Sequence, residues 1–375
     1  MSKMVFPDFN NSILNVSATL AEYLGKDNTI PKIETLKNEL KKNYKNVVYI
    51  IMDGLGRNIL EGHIKTDSFI RKHNVKTITS VFPSTTTNGT TTLQSALYPA
   101  EHGWFGWAMN FNSKVIELFR DTDYYTKEII EEGFARKRLP FTPFFSNLSN
   151  GIESHIYLPA RIREEREGCI NHSYKTLREM FSQLKCICKK PNKKFIYAYN
   201  SDPDRTMHKF GASSRQAKKI IKIFNKKMQK LVERSPDSLF VVTADHGHFD
   251  VAGFVEIYKD DEIISCLSEK LSLEPRATAF SIKNGMHTKF EKAFEKYQTD
   301  FDLHKTSDLI DKGIFGKFKN EEYKKFLGDY IAIGNETNKL MIFKAGVKSY
   351  KGHHTGLTEA EMLLPLIIAG NKTKE

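Results

Sequence analysis

Three short apolar runs, each ending in acid or acid–histidine chemistry, constrain this chain more than any other feature. They are Val47-Val48-Tyr49-Ile50-Ile51-Met52 before Asp53, Lys194-Phe195-Ile196-Tyr197-Ala198-Tyr199 ahead of Asp204, and Leu239-Phe240-Val241-Val242-Thr243 ahead of Asp245-His246. Runs this short and this uniformly apolar read as parallel strands covered by helices on both faces. Between the second and third, Ala217, Ile220, Ile221, Phe224, Met228 and Leu231 recur at helical spacing, with lysines on the opposite, solvated face. Strand, helix and strand in this order imply a right-handed crossover, so both strands finish at one edge of the sheet. Ligand sites of open α/β folds collect at that edge. A short helix over 57–63 and a strand over 75–81 complete a first βαβ unit, with Asp53 at the carboxyl end of its first strand. Two further helices are expected over 11–25 and 32–43.

The 75–81 run leads into Phe82-Pro83-Ser84-Thr85-Thr86-Thr87-Asn88-Gly89-Thr90-Thr91-Thr92, a hydroxyl-crowded turn that opens into a helix ending before Pro99. Hydroxyls at a helix N-terminus lie where backbone N–H groups and the helix dipole favour an oxyanion or a phosphate. Ser and Thr are also common caps, so the loop alone does not decide between the two roles. Asp204 and His208 are four apart, and one helical turn aims them at a common point. If Asp245 and His246 end the neighbouring strand, roughly 4.8 Å away, the two sets match the ~3.5–4 Å ion separation of two-metal phosphoryl-transfer sites. Gly352-His353-His354-Thr355-Gly356, ahead of a capping box at Thr358 and Glu361, offers a further loop ligand.

From about 255 to 345 the pattern changes to strands over 276–282, 330–333 and 339–343 and a helix over 289–297, before a strand-like return at Pro365-Leu366-Ile367-Ile368-Ala369. This predicts a doubly wound, mostly parallel α/β core of residues 1–254 plus 346–375, with a smaller α+β cap subdomain inserted at 255–345. The formal charge of +12 points to anionic partners: phosphorylated small molecules, nucleic acid or anionic lipid. Nucleic acid is disfavoured, because aromatic residues are not interleaved with the lysines as stacking platforms require. No apolar run approaches the roughly 18 residues of a membrane span. The opening residues lack the apolar stretch of a secretory signal, and a cytoplasmic protein is expected. Four cysteines without a Cys-x-x-Cys pair fit neither a disulfide scaffold nor a zinc ribbon.

Taken together, these motifs resemble the alkaline phosphatase superfamily, most closely its type I phosphodiesterase/nucleotide pyrophosphatase branch. Carried over motif by motif, the resemblance implies that Asp53, Thr86, Asp245 and His246 bind one divalent metal ion, with Thr86 as nucleophile. Asp204, His208 and His354 then bind the other. Thr85 is the fallback nucleophile, and His354 is preferred to His353 because the family ligand is third in a Gly-x-His loop. Two zinc ions are implied, with manganese as the alternative, and the activity implied is phosphodiester or pyrophosphate hydrolysis on a small phosphorylated substrate, possibly a nucleotide. Alternatives are a phosphomonoesterase or phosphomutase of the same superfamily, or a non-catalytic, basic nucleic-acid-binding protein on the same scaffold. One departure stands out: Trp107 occupies the place of a family asparagine that helps bind the phosphoryl oxygen. Trp104 and Trp107 are therefore expected to line a base-stacking or apolar leaving-group pocket, and Arg276 to contact substrate phosphate.

Overall fold

A computed structural model of the chain describes residues 4–149, 151–162, 165–347 and 349–372. A seven-stranded sheet forms its centre, in the order Asn74–Thr79, Leu363–Asn371, Ser238–Thr243, Asn46–Met52, Lys194–Asn200, Glu153–Pro159, Ile170–Tyr174. The three apolar runs thus lie side by side, with Asn46–Met52 parallel to both flanking strands. Every residue of these three strands is buried, which explains runs without polar alternation. Leu363–Asn371 is the one antiparallel member, pairing with Ser238–Thr243 on one side and Asn74–Thr79 on the other.

Helices cover the sheet in two groups. Ile13–Tyr23 packs on Thr86–Ser95, while Arg215–Glu233 contacts Leu177–Lys189, Arg57–His63 and Asp204–Phe210. The buried stripe of Arg215–Glu233 consists of Ala217, Ile221, Phe224, Met228, Leu231 and Val232, so its lysines face outward as the spacing predicts. The polar C-terminal ends of Asn46–Met52, Lys194–Asn200 and Ser238–Thr243 share one edge, because parallel strands in register must finish together.

A second seven-stranded sheet runs Phe301–Lys305, Tyr330–Gly334, Ala277–Phe280, Ser272–Glu274, Ala108–Phe111, Lys114–Glu117, Thr122–Asp123. The expected cap boundary changes accordingly. Three of its strands come from residues 108–123, which the sequence reading left in the core, and they join through the pairing of Ala108 with Leu273. Short strands with polar connections carry no periodicity that assigns them to one sheet rather than another. Among the described residues no helix is long and apolar enough to cross a membrane.

Candidate metal centre and active-site cleft

At the shared strand edge, Asp53 follows directly on the central strand, and its backbone organises both neighbours. Asp53 N–H donates to the Asn200 carbonyl, and Asp204 N–H donates to the Asp53 carbonyl. Gly54 N–H donates to Asp245 Oδ1 at 3.2 Å. The strands carrying Asp204 and Asp245 are therefore not neighbours, contrary to expectation. They flank the Asp53 strand, and the helix Asp204–Phe210 turns its first residue back over it.

Thr86 opens the helix Thr86–Ser95, with Thr85 as its N-cap. The helix can sit on the Asp245 strand end only because residue 89 is glycine, since a Cβ there would lie 2.8 Å from both Asp245 Cβ and its carbonyl oxygen. Thr86 Oγ1 consequently stands 3.1 Å from His246 Nε2. Thr85, the fallback, donates its hydroxyl to Glu274 Oε1 and is committed elsewhere. His246 Nε2 is also 3.1 Å from Asp53 Oδ1 and 3.6 Å from Asp245 Oδ2.

Asp204 Oδ1 is the second focus. The Nε2 atoms of His208, His248 and His354 lie 3.2, 3.2 and 3.6 Å from it. His354 stacks on His246, with ring centroids 3.5 Å apart, so the two foci share a wall. The ligand atoms of Asp204, His208 and His354, and those of Asp53, Asp204 and His246, lie within 4.8 Å of one another in each set. All seven residues drawn from the family motifs thus meet at one place.

The donor set fits a divalent cation at each focus on two grounds. First, each of these histidines turns Nδ1 toward a backbone carbonyl: His208 to Gly352, His246 to Gly247, His248 to Phe249 and His354 to Ser84. A nitrogen facing a carbonyl oxygen carries the hydrogen, which leaves the Nε2 lone pair of a neutral ring aimed at a carboxylate. Two acceptors facing each other require a proton or a cation between them. Second, ligand atoms about 2.0–2.1 Å from a tetrahedral ion stand about 3.3–3.4 Å apart, and the observed separations straddle that value. Asp53 Oδ1, Asp204 Oδ1, Asp245 Oδ2 and His248 Nε2 are moreover buried without a hydrogen-bond partner, as coordinating atoms would be.

The electrostatics without a cation show the same need. Burial, and then the Asp204 charge, raise the Asp53 carboxyl well above its ordinary value, against the pull of the Tyr199 hydroxyl that donates to it. Burial and Asp53 push Asp245 up to about 8. Burial would raise Asp204 as well, but the facing imidazoles, His208 foremost, hold it well below the carboxylate range. Burial lowers His248 to about 4 and holds His354 well below its ordinary value.

The cluster forms part of a cavity of about 1260 Å³, lined among others by Thr85, Thr86, Trp107, Glu274 and Arg120. Trp107 lines it as expected, with the Arg120 guanidinium 5.4 Å from its ring centre and its indole N–H directed at Glu117. Trp104 lines it as well, though it is 1 % exposed, donates its indole N–H to the Leu139 carbonyl and packs against Phe119 and Phe141, which leaves little of its face for stacking. Arg276 is not a substrate contact. It is fully buried, pairs with Glu361 at 2.9 Å and donates to the carbonyls of Gly334, Asn335 and Lys339. Sequence reasoning placed it at the phosphate because it begins a cap strand, but that strand faces inward.

Three residues of the site were missed. His248 was signalled by its place two residues beyond His246. Its approach depends on Gly247, where a Cβ would lie 2.0 Å from the Ala360 carbonyl oxygen. Tyr199 ends an apolar run and gave no sign of its bond to Asp53, nor did Glu274 of its place in the cleft.

The sequence profile of the type I phosphodiesterase/nucleotide pyrophosphatase family matches residues 47–336. The chain belongs to this family. Its members' chemistry makes it a hydrolase of phosphoric ester or pyrophosphate bonds. Solved structures share the fold at low identity. Human ectonucleotide pyrophosphatase/phosphodiesterase 5 superposes with a TM-score of 0.63 at 18% identity, covering 88% of this chain and 90% of its own. The murine protein, in an inactive threonine-to-alanine form in complex with AMP, gives 0.63 at 17% over the same shares. Phosphonoacetate hydrolase from Sinorhizobium meliloti, in complex with phosphonoformate, gives 0.61 at 15%, again over 88% and 90%. No curated protein matches the sequence.

Proposed function

We propose that this hydrolase is metal-dependent and attacks phosphorus with the Thr86 hydroxyl. The observation that carries this reading is the position of Thr86 Oγ1, at the first turn of a helix and 3.1 Å from an imidazole nitrogen that also faces Asp53 and Asp245. Asp53, Asp245, His246 and Thr86 would hold one divalent ion, and Asp204, His208, His354 and the newly found His248 the other. Nitrogen and oxygen donors of this kind suit zinc and also manganese. When bound, such a pair makes a hydroxyl nucleophilic at neutral pH and neutralises charge on phosphoryl oxygens.

The chain's own residues supply the rest. The first N–H groups of Thr86–Ser95 have no partners within the helix and would be available to a phosphoryl oxygen held beside Thr86. The carbonyls of Gly247, Gly352 and Ser84 fix the ring orientations of His246, His208 and His354. In the first step a Thr86 Oγ–P bond forms as the ester oxygen leaves, and water then cleaves the phosphothreonine ester. A small phosphorylated substrate is the class supported, since the murine neighbour is complexed with AMP and the bacterial one with phosphonoformate.

The test is Thr86→Ala, followed by metal content from inductively coupled plasma mass spectrometry and turnover of bis-p-nitrophenyl phosphate and p-nitrophenyl phosphate. Turnover is expected to fall by at least about 10³-fold, the scale on which nucleophile replacements act, with most of the metal retained. Undiminished turnover with metal bound would remove Thr86 from this role.

A further inference from the structure

The second sheet presents a carboxyl to the nucleophile's side of the cleft, and the mechanism above gives it no task. Glu274 ends the strand Ser272–Glu274, is 3 % exposed, and lines the cavity together with Thr85, Thr86 and Trp107. Its Oε1 accepts the Thr85 hydroxyl and, at 2.7 Å, the Trp107 backbone N–H. Both bonds fall on one oxygen, which leaves Oε2 for the cleft. Among the described residues no lysine or arginine pairs with Glu274, and Arg276, two residues on, is committed to Glu361.

A buried carboxylate costs stability unless it is paired, so a purely structural acceptor at this place would serve as well or better as an amide. Burial pushes the carboxyl up to about 7, while the Thr85 and Trp107 bonds pull the other way. It is therefore ionised in mildly alkaline solution. A phosphomonoester carries close to two negative charges there, since its second pKa is about 6, whereas a phosphodiester carries one. A fixed negative charge one residue from the nucleophile in a low-dielectric cleft repels the more highly charged phosphoryl group more strongly.

We infer that Glu274 is a specificity-determining residue: its cleft-facing oxygen selects substrates whose reacting phosphoryl group carries a single charge, diesters and substituted pyrophosphates, over monoesters. This inference rests on Thr86 marking the reacting phosphorus.

Glu274→Gln keeps an oxygen acceptor for both Thr85 and Trp107 and removes the charge. With the metal-loaded protein at pH 8.5, kcat/KM for bis-p-nitrophenyl phosphate over that for p-nitrophenyl phosphate is expected to favour the diester in the wild type. In the variant this ratio should fall by about tenfold or more through a gain on the monoester, the size of one removed unit charge at partial screening. Calorimetric binding of phenyl phosphate and diphenyl phosphate gives a readout that needs no turnover. Phenyl phosphate is expected to gain about tenfold more affinity in the variant than diphenyl phosphate gains. A ratio unmoved in both measurements, equal losses on both substrates, or a wild type that prefers the monoester overturns the assignment. Turnover surviving in Thr86→Ala would instead sink the nucleophile reading, and the binding ratio would still judge Glu274.

Discussion

The two walls of the cleft are built from different kinds of sequence. On the central-sheet side, Asp53, Asp204, Asp245 and His246 lie one, four, two and three residues beyond the ends of adjacent strands. Each ligand's position follows from its strand, because parallel strands in register deliver whatever follows them to one edge. On the second-sheet side, Glu274 meets the Trp107 backbone across 167 residues of sequence. That wall exists only because the strands Ala108–Phe111 and Ser272–Glu274 pair. One wall is a local consequence of strand ends and carries the chemistry. The other is a product of tertiary pairing, and it shapes what the chemistry acts on.

The comparison can be broken most directly at Asp204, whose Oδ1 three imidazoles face. Asp204→Asn should lower turnover by more than about 100-fold, the upper range for residues that merely support a metal ligand, and mass spectrometry should show a loss of bound metal. A variant with full metal content would show that the two foci do not depend on their shared carboxylate.

Next in size is Arg276→Met, which tests whether the inward-facing part of the second sheet is structural rather than catalytic. Breaking the pair leaves Glu361 buried without its cation, a loss of about 3–5 kcal/mol in urea unfolding. KM for bis-p-nitrophenyl phosphate should stay near the wild-type value in the fraction that folds. A large rise in KM at unchanged stability would return Arg276 to the substrate.

The smallest effect concerns protons on the metal-side wall. In chelated protein Asp245 is pushed up to about 8, and Asp53 is raised as well. A carboxyl raised on folding stabilises fully below its unfolded value and loses that contribution as pH rises through the folded one. Buried histidines such as His248, lowered to about 4, act in the opposite sense, but only up to their ordinary 6.5. His208, raised by Asp204 against its burial, adds to the loss at higher pH. Metal-free protein should therefore lose stability between pH 6.5 and 8, by about 2 kcal/mol through Asp245. Metal-loaded protein should show a much flatter profile in the same urea titrations. A chelated protein that gains stability over this range would show that the carboxylates are not held apart from a missing positive charge.

The α/β class, the three buried strands, the basic outer face of Arg215–Glu233 and the seven candidate metal-site residues were all legible in the primary chain. Apolar runs, helical spacing and acid–histidine pairs are short-range patterns, and the parallel-strand rule carries Asp53, Asp204, His208, Asp245 and His246 to a common edge, whereas Thr86 and His354 were placed by the family resemblance. The antiparallel return of Leu363–Asn371, the recruitment of residues 108–123 into the second sheet, the burial of Trp104 and Arg276, and the arrival of His248, Tyr199 and Glu274 at the site were decided only in three dimensions. Each depends on which distant backbone pairs with which, or on where a side chain turns once its neighbours are packed, and no local periodicity encodes either. A strand beginning with arginine reads the same whether that arginine meets a phosphate or a buried glutamate. The packing of Glu361 beneath it settled the matter.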